Sequence, residues 1–345
     1  MRLRAALVAV LVAAMVATGS VAGYAVWTAV TAKSASVTAA SVAITQTGAT
    51  DLAVTYKPGF VTVTPVLTDT ASVTITNTGT APLALALSTS GGDATLNGAV
   101  TMQVWKFGTT CDSSTVAPGT ATSGTLAAPP GLPSDANSAT AGAAVVLCIR
   151  TSMTVAAFDT AAPRTTTPSL TVTGTVGANW AATASASFTQ VSAFNWFQVN
   201  HTFSGKCMDA NGGNVTVGTS MILFPCKTPL DATNNQAFRF QAVGAYYRIY
   251  IGAGTAAGPV VGEACAIALC GVQLQALGSG NAQQWSIVQH GAANNYRIVN
   301  RESTMCLTMM NTTDTTAFVV SGCGASTSTT DATYRMQHFT FTVIP

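Results

Sequence analysis

The tripeptide Gln283-Gln284-Trp285 has two relatives in the same half of the chain, Gln236-Ala237-Phe238 and Gln337-His338-Phe339. The three begin 47 and 54 residues apart. Each follows an aromatic-x-aliphatic segment, and these segments are spaced by 50 and 49 residues: Phe197-Gln198-Val199, Tyr247-Arg248-Ile249 and Tyr296-Arg297-Ile298. Units of this size are too small to bury separate cores. The spacing therefore predicts three repeats that close around one axis and share a core.

The composition excludes several classes of protein. Of 345 residues, 48% are apolar and 8% are charged, whereas a typical soluble protein has about 25% charged residues. Disordered chains have few apolar and many charged residues, so this composition argues against disorder. The net charge is only +2, and the basic residues form no stripe along the sequence, so we expect no nucleic-acid partner. At roughly 150 residues per domain, the length predicts about two domains.

Residues 1–32 predict an export signal. Arg2 and Arg4 precede a stretch from Ala5 to Ala32 that carries no charge, which is typical of a secretory signal peptide. The stretch is long enough to span a bilayer, so an uncleaved membrane anchor is the alternative, and contact with a membrane is expected only in that case. We expect a secreted, extracellular protein, or one anchored at the cell surface.

Export implies that the eight cysteines form disulfides, because an oxidising compartment favours them. Eight cysteines allow roughly 100 pairings. We expect neighbours in sequence to pair, which gives Cys111–Cys148, Cys207–Cys226, Cys265–Cys270 and Cys306–Cys323. The spacing of cysteine and histidine matches no zinc site, so no metal is expected.

Residues 33–192 predict an antiparallel β-sandwich, either Ig-like or jelly-roll. Apolar and polar residues alternate over Ser72–Thr76, a turn is expected over Asn77–Thr80, and Leu83, Leu85 and Leu87 alternate with alanine. Alternation of this kind is the period of a half-buried strand. Three shorter segments repeat it: Val42/Ile44, Val61/Val63 and Leu170/Val172/Val176. The Pro-, Gly-, Ser- and Thr-rich stretch between Cys111 and Cys148 predicts a long surface loop.

The N-terminal half resembles one known group of proteins. The segments that carry the likeness are Gly23-Tyr24-Ala25-Val26-Trp27-Thr28 and the Ser/Ala/Val-rich segment 34–42. They resemble the amino-terminal pattern of camelysin-like and biofilm-matrix surface proteins of Gram-positive bacteria. That resemblance implies a β-sandwich after the signal and a bacterial source.

Residues 193–345 resemble the ricin B-type β-trefoil lectin family, whose hallmark is three Gln-x-Trp repeats. The resemblance implies an all-β chain in which a C-terminal trefoil follows the sandwich. Two of the three terminal aromatic residues are Phe rather than Trp. In that family the Gln-x-aromatic residues are chiefly structural, which implies a core role for Gln236, Phe238, Gln283, Trp285, Gln337 and Phe339.

The resemblance also implies a sugar site in the first repeat. The family uses an Asp just after the first Cys, an aromatic residue just before the second, and an Asn-Gln pair that opens the Gln-x-Trp motif. Here these are Asp209, Phe224, Asn235 and Gln236. A carboxylate accepts hydrogen bonds from adjacent sugar hydroxyls, an aromatic ring covers the apolar face of a pyranose, and an amide both donates and accepts.

The other two repeats depart from this pattern. Cys265 is followed by Ala266-Ile267, without a carboxylate. In the third repeat Thr308 replaces the Asp, Val320 the aromatic residue and Met336 the Asn. We therefore expect one sugar site per chain.

An enzyme is not expected. A glycosidase needs two carboxylates at a controlled separation, yet the two Glu residues, Glu263 and Glu302, both lie in the trefoil region. The sequence contains no Gly-x-Ser-x-Gly elbow and no phosphate loop. We predict a non-catalytic carbohydrate-binding protein without a cofactor. The alternative is a structural surface or matrix protein whose trefoil contacts other proteins.

Overall fold

The computed structural model of the chain describes residues 40–61, 63–158, 163–229, 234–252 and 258–344. The predicted signal segment 1–32 lies outside these residues. Contacts divide the chain into two compact units. Of the described residues, those within 40–54, Thr68–Ser152 and Thr165–Gln190 belong to the first unit. Those within 55–67, 153–164 and 191–344 belong to the second. The predicted domain boundaries at 32 and 192 stay predictions.

Twelve strands precede the three repeats in the described residues: β1 (Ile44–Thr47), β2 (Val54–Tyr56), β3 (Thr68–Asn77), β4 (Leu83–Ser90), β5 (Thr101–Lys106), β6 (Thr122–Thr125), β7 (Ser138–Ala139), β8 (Ala144–Ser152), β9 (Arg164–Thr166), β10 (Ser169–Val176), β11 (Trp180–Ser187) and β12 (Gln190–Ser192). A short helix, α1 (Ala94–Ala99), begins after Asp93, whose carboxylate accepts a hydrogen bond from Leu96 N at 2.7 Å. Single-turn 3-10 helices lie at Ala49–Leu52 and Val155–Ala157.

Two antiparallel sheets form the first unit, with strand orders β1-β3-β8-β5-β6 and β11-β10-β4-β7. Alternate residues along the strands are buried, as Val73, Ile75, Leu83 and Leu85 illustrate. The sheets approach closely at Gly174 of β10, where a Cβ atom would lie 3.3 Å from Ile44 Cδ1 of β1. The predicted sandwich of stacked antiparallel sheets is confirmed. A further small sheet has the order β2-β12-β9.

The alternations over 72–76 and 83–87 both form strands, but in different sheets. The turn between them therefore crosses from one sheet to the other. The buried side chain of Asn77 fixes this crossing. Its amide nitrogen donates to the carbonyls of Ala81 (2.8 Å) and Ala139 (3.1 Å), and its oxygen accepts from Gly79 N (3.0 Å).

Two predictions for this region were wrong. Val61 and Val63 form no strand, because Phe60 N and Val63 N each bond to the other residue's carbonyl in a tight turn and Val61 has a φ of 51°. The stretch between Cys111 and Cys148 is not one long loop, since β6, β7 and the start of β8 come from it. Pairing with β5 and β4 gives the backbone of β6 and β7 its hydrogen-bond partners.

In the part of the repeats that the structure describes there are twelve further strands: β13 (Trp196–His201), β14 (Cys207–Ala210), β15 (Met221–Phe224), β16 (Phe238–Val243), β17 (Tyr246–Ile251), β18 (Val260–Glu263), β19 (Cys270–Gln275), β20 (Trp285–Gln289), β21 (Tyr296–Asn300), β22 (Cys306–Met309), β23 (Phe318–Ser321) and β24 (Phe339–Ile344). A helix, α2 (Ala332–Met336), precedes β24, and 3-10 turns lie at Asn211–Gly213 and Asn281–Gln283.

The first and fourth strands of each repeat close into a six-stranded antiparallel barrel, β13-β16-β17-β20-β21-β24, in which β24 pairs with β13. The second and third strands form three hairpins. This threefold arrangement is a β-trefoil. Phe238, Trp285 and Phe339 lie fully buried in its core, and Trp285 Nε1 donates to the Val261 carbonyl at 2.8 Å.

Phe60 packs into the trefoil core although it lies far upstream of the repeats. Its ring stacks on Phe240, with centroids 4.1 Å apart. Phe197, Tyr247 and Phe341 contact the same ring at 4.8–5.2 Å between centroids. Phe60, with Val63 packed against the same cluster, therefore completes this core.

All eight cysteines are paired: Cys111 with Cys148, Cys207 with Cys226, Cys265 with Cys270, and Cys306 with Cys323. In the trefoil, the Cys207 and Cys306 bridges close the open ends of their hairpins. The Cys265–Cys270 bridge lies at the tip of the β18–β19 hairpin instead.

Candidate functional site

The four residues predicted to bind sugar come together at the base of the β14–β15 hairpin. Cys207 pairs with Phe224 across the hairpin, and the Cys207–Cys226 disulfide joins its ends with Cα atoms 5.0 Å apart. Cross-strand partners and residues two apart point to the same face of a hairpin. Asp209 and Phe224 therefore share one face.

Asp209 is the central carboxylate of this face, and only 2% of the residue is exposed. Asn235 Nδ2 donates to its Oδ1 at 2.5 Å. Gln236 Nε2 donates to its Oδ2 at 2.8 Å, and Lys227 Nζ lies 3.2 Å from the same oxygen. A carboxylate has about four acceptor positions, so these three contacts leave one position on Oδ1 without a partner among the residues that the structure describes.

The Gln236 side chain links Asp209 to other protein groups by hydrogen bonds. Its Nε2 also donates to the Pro225 carbonyl at 2.9 Å, while its Oε1 accepts from Lys227 N (2.8 Å) and Gln198 Nε2 (3.0 Å). All of its hydrogen-bonding capacity is thus used inside the protein. Gln236 orients Asp209 and has nothing left to offer a ligand.

Lys227 is a site residue that the sequence patterns missed. Its ammonium donates to Asn235 Oδ1, forms the ion pair with Asp209, and lies 6.0 Å from the centroid of the Phe224 ring. The side chain is 36% exposed. Its position next to Cys226 in the sequence was the available signal. The family pattern directs attention to the residues before that cysteine, not to the one after it.

An open cleft of about 340 Å³ lies over these groups. Asp209, Phe224 and Lys227 form part of its lining. Gly212 and Gly213 contribute backbone with φ values of 68° and 73°, a conformation that glycine adopts freely. The remaining lining residues are Asn211, Ile222 and Thr315.

The equivalent position in the second repeat is filled by protein. Val260 pairs with Gln275 as Cys207 pairs with Phe224, so Gly262 occupies the place of Asp209. The Gln275 amide fills the space above it, because a Cβ atom on Gly262 would lie 2.3 Å from Gln275 Oε1. Aligning Cys265 with the first cysteine of the pattern was therefore wrong, because its bridge lies at the other end of the hairpin.

The third repeat has hydroxyl groups in place of the carboxylate and the aromatic ring. Cys306 pairs with Ser321, so Ser321, and not Val320 as predicted, occupies the place of Phe224. Thr308 Oγ1 lies 2.9 Å from Ser321 Oγ, and Gln337 Nε2 donates to both oxygens at 3.0 and 3.2 Å. This position has no charged acceptor.

His290 and His338 lie against Tyr334, His201 bonds to the neighbouring Arg335, and the residues that line the cleft include none of the three. His338 stacks on the Tyr334 ring with centroids 3.7 Å apart, and its Nδ1 donates to the Tyr334 carbonyl. His338 Nε2 consequently accepts from His290 Nδ1 at 3.1 Å. Burial lowers the pKa of His338 to about 4. His201 donates from Nε2 to the Arg335 carbonyl at 2.7 Å and accepts from Ser204 Oγ at 2.8 Å. The His201 ring is fully buried, so a substrate does not reach it.

Within the described ranges, no three His, Cys, Asp or Glu residues are grouped so that they could hold a metal ion. No helix in the same part of the chain is both long and apolar enough to cross a membrane.

Fold and cleft together define a two-unit, all-β protein whose trefoil carries a cleft lined in part by the Asp209 carboxylate. Residues 234–321 match the family model described as "Ricin-type beta-trefoil lectin domain-like". The match includes Asn235 and Gln236 but begins after Asp209 and Phe224. No curated protein matches the chain. The likeness of the N-terminal segment to camelysin-like proteins stays a prediction.

Solved structures with similar folds each cover part of the chain. A designed threefold symmetric protein, ThreeFoil, is 20% identical, with a TM-score of 0.36 over 42% of this chain and 96% of its own. The C-half of an earthworm R-type lectin, in complex with GalNAc, is 13% identical, with a TM-score of 0.32 over 43% and 98%. An exo-β-1,3-galactanase from Clostridium thermocellum is 14% identical, with a TM-score of 0.37 over 51% of this chain, and the chain spans 43% of that enzyme.

Proposed function

We propose that this chain is a non-catalytic carbohydrate-binding protein that holds a sugar in the cleft of the first repeat. The observation that carries the proposal is the convergence of a carboxylate, an ammonium group and an aromatic ring on one open cleft. The match of residues 234–321 to a lectin-like family supports a sugar as the ligand.

Each group has a distinct part in binding. The free acceptor position of Asp209 takes a sugar hydroxyl, and the third N–H of Lys227 donates to a neighbouring hydroxyl. Phe224 covers the apolar face of the ring. Asp209 and Lys227 have opposite charges and the other lining residues are uncharged. The cleft therefore favours an uncharged sugar with adjacent hydroxyl groups.

We further propose that the protein acts outside the cytoplasm, secreted or held at the cell surface. Its four disulfides persist in an oxidising compartment. A single shallow site binds weakly, near 1 mM or about −4 kcal/mol. Adhesion would then depend on many copies acting together.

A second candidate function is structural, with the trefoil serving as a contact module. The observation that favours it is the burial of Asp209, which is 2% exposed and has three partners within the protein. Under this alternative Asp209 only ties the hairpin to the Asn235–Gln236 segment, and its removal would affect stability alone.

The experiment that separates the two uses the full, oxidised chain immobilised at high density on beads. Binding to a glycan array and to insoluble polysaccharides is compared with that of Asp209→Asn. Thr308→Ala is the matched control, because Thr308 is the equivalent residue of the third repeat. We expect binding by the parent and by Thr308→Ala, and none by Asp209→Asn at an unchanged circular dichroism spectrum. A folded parent that binds nothing, or an Asp209→Asn variant that binds normally, would refute the proposal.

A further inference from the structure

The three trefoil hairpins interlock in a cycle, in which the tip of each hairpin bonds to the open end of the next. One backbone N–H at each tip donates to a carbonyl of the neighbouring hairpin: Gly218 to Leu274 (2.8 Å), Leu269 to Val320 (2.7 Å) and Thr315 to Leu223 (2.8 Å). The tip of the third hairpin consequently lies against β15, the strand that ends in Phe224.

The donor at each tip has a left-handed backbone, with φ of 91° at Gly218, 63° at Leu269 and 63° at Thr315. Glycine adopts this conformation freely, whereas a β-branched residue is strained in it. Gly218 makes the interlocking bond without a side chain, so the interlock does not require threonine at position 315. Backbone strain of this kind concentrates at functional sites.

The Thr315 side chain has a place in the cleft. Thr315 is exposed and lines the cleft together with Asp209, Phe224 and Lys227. Its hydroxyl donates to the Asp314 carbonyl at 2.6 Å. A hydroxyl oxygen has two lone pairs, so Thr315 Oγ1 is still able to accept a hydrogen bond from a ligand.

The first repeat also contacts the tip of the third-repeat hairpin at a second point. Lys206 Nζ lies 2.7 Å from Asp314 Oδ1 and donates to the Thr312 carbonyl at 2.6 Å. Lys206 directly precedes Cys207, the first residue of the strand that carries Asp209. The strand that supplies the carboxylate thus also fixes the position of Thr315.

We propose that the first-repeat cleft is a composite of two repeats, in which Thr315 of the third repeat accepts a hydrogen bond from a sugar hydroxyl and determines which sugar is preferred. Lys206 and Asp314 are positioning residues that act through Thr315. This inference rests on the proposed sugar-binding function and adds a specificity-determining residue to it.

The test compares the full, oxidised chain with Thr315→Gly, Thr315→Ser and Leu269→Gly. The probes are polyacrylamide conjugates of galactose, N-acetylgalactosamine, glucose, mannose and fucose. Thr315→Gly should lower the affinity for the preferred probe about 3- to 10-fold, the effect of one hydrogen bond, and change the order of preference. Thr315→Ser keeps the hydroxyl and should retain the parent's order. Leu269→Gly relieves the same strain beside the third repeat and should bind as the parent does.

Measurements of Tm separate a role of Thr315 in sugar preference from a role in stability. Both glycine variants should have a Tm equal to or above that of the parent, because the strained backbone is relieved. If Thr315→Gly binds every probe like the parent, or if Leu269→Gly weakens binding equally, the role of Thr315 is refuted. The proposed function survives that result provided that Asp209→Asn abolishes binding. If the parent binds no probe, both proposals fail.

The positioning pair has its own signature. Lys206→Met and Asp314→Asn should each shift the sugar preference in the direction of Thr315→Gly, and the double variant should be no worse than either alone. Because the pair is partly exposed, 1 M NaCl should move the parent toward the variants. Additive losses in the double variant would overturn this part of the inference.

Discussion

Phe60→Ala should destabilise the trefoil, although Phe60 lies outside residues 193–345. The Phe60 ring is 4% exposed and has four aromatic neighbours: Phe197, Phe240, Tyr247 and Phe341. Truncation to alanine leaves a void among these rings. Surrounding side chains in a closed barrel have little freedom to collapse into such a void.

The size of the effect follows from this burial. A buried phenylalanine removes about 150–250 Å² from water, which at about 25 cal/mol per Å² gives an upper value of about 4–6 kcal/mol. Phe→Ala substitutions in cores cost about 3–5 kcal/mol. We expect a loss of about 4 kcal/mol. At about 2–4 °C per kcal/mol, the trefoil transition should fall by about 10 °C.

Differential scanning calorimetry of the full chain, with urea unfolding followed by near-ultraviolet circular dichroism, measures this change. Val66→Ala is the control, because Val66 belongs to the same segment but is 42% exposed. Val66→Ala should leave the trefoil transition unchanged. A loss below about 1 kcal/mol for Phe60→Ala, within the range of ordinary surface substitutions, would refute the view that Phe60 completes the trefoil core.

Three further predictions concern pH, a buried indole and the second repeat. Burial lowers the pKa of His338 to about 4. The folded state therefore resists protonation of His338, and its contribution to the free energy of unfolding is complete above pH 6.5 and is lost as the pH falls toward 4. The full pKa shift corresponds to about 3 kcal/mol, of which about 2 kcal/mol should appear after solvent screening. In His338→Gln, the free energy of unfolding measured in urea should therefore change less with pH over this interval than in the parent. Trp285→Phe leaves the Val261 carbonyl without its indole donor and should cost about 1–3 kcal/mol in the same assay, whereas no loss would show that water replaces the donor. Gly262→Ala places a Cβ against the Gln275 amide and should cost about 1–3 kcal/mol. The double variant with Gln275→Ala should recover most of this loss, and additive losses would contradict the proposed clash.

The alternation of residue types was sufficient to predict strands but not their partners. Ser72–Thr76 and Leu83–Leu87 form strands, as predicted, yet they belong to different sheets because the Asn77 side chain directs the chain across the sandwich. Val61/Val63 has the same period and forms no strand. The difference lies in backbone hydrogen bonds and in the burial of Phe60 by the repeats, neither of which is a local property of the sequence.

The candidate site was predictable where it follows a linear motif. Asp209, Phe224, Asn235 and Gln236 meet because the hairpin register and one disulfide bring their segments together. Their individual tasks were not predictable, since Gln236 uses all its hydrogen bonds inside the protein and Asp209 is almost fully buried. Whether they bind sugar stays a prediction.

The sequence by itself determined the repeats, their approximate period and the all-β class, because periodicity in residue type is written directly along the chain. Tertiary structure alone decided that the Gln275 side chain fills the space above Gly262 in the second repeat. It also decided that Lys227 pairs with Asp209 and that Thr315 lines the first-repeat cleft. These contacts join residues from different strands or repeats. They depend on barrel closure and hairpin register, which set distances that no spacing in the linear sequence encodes.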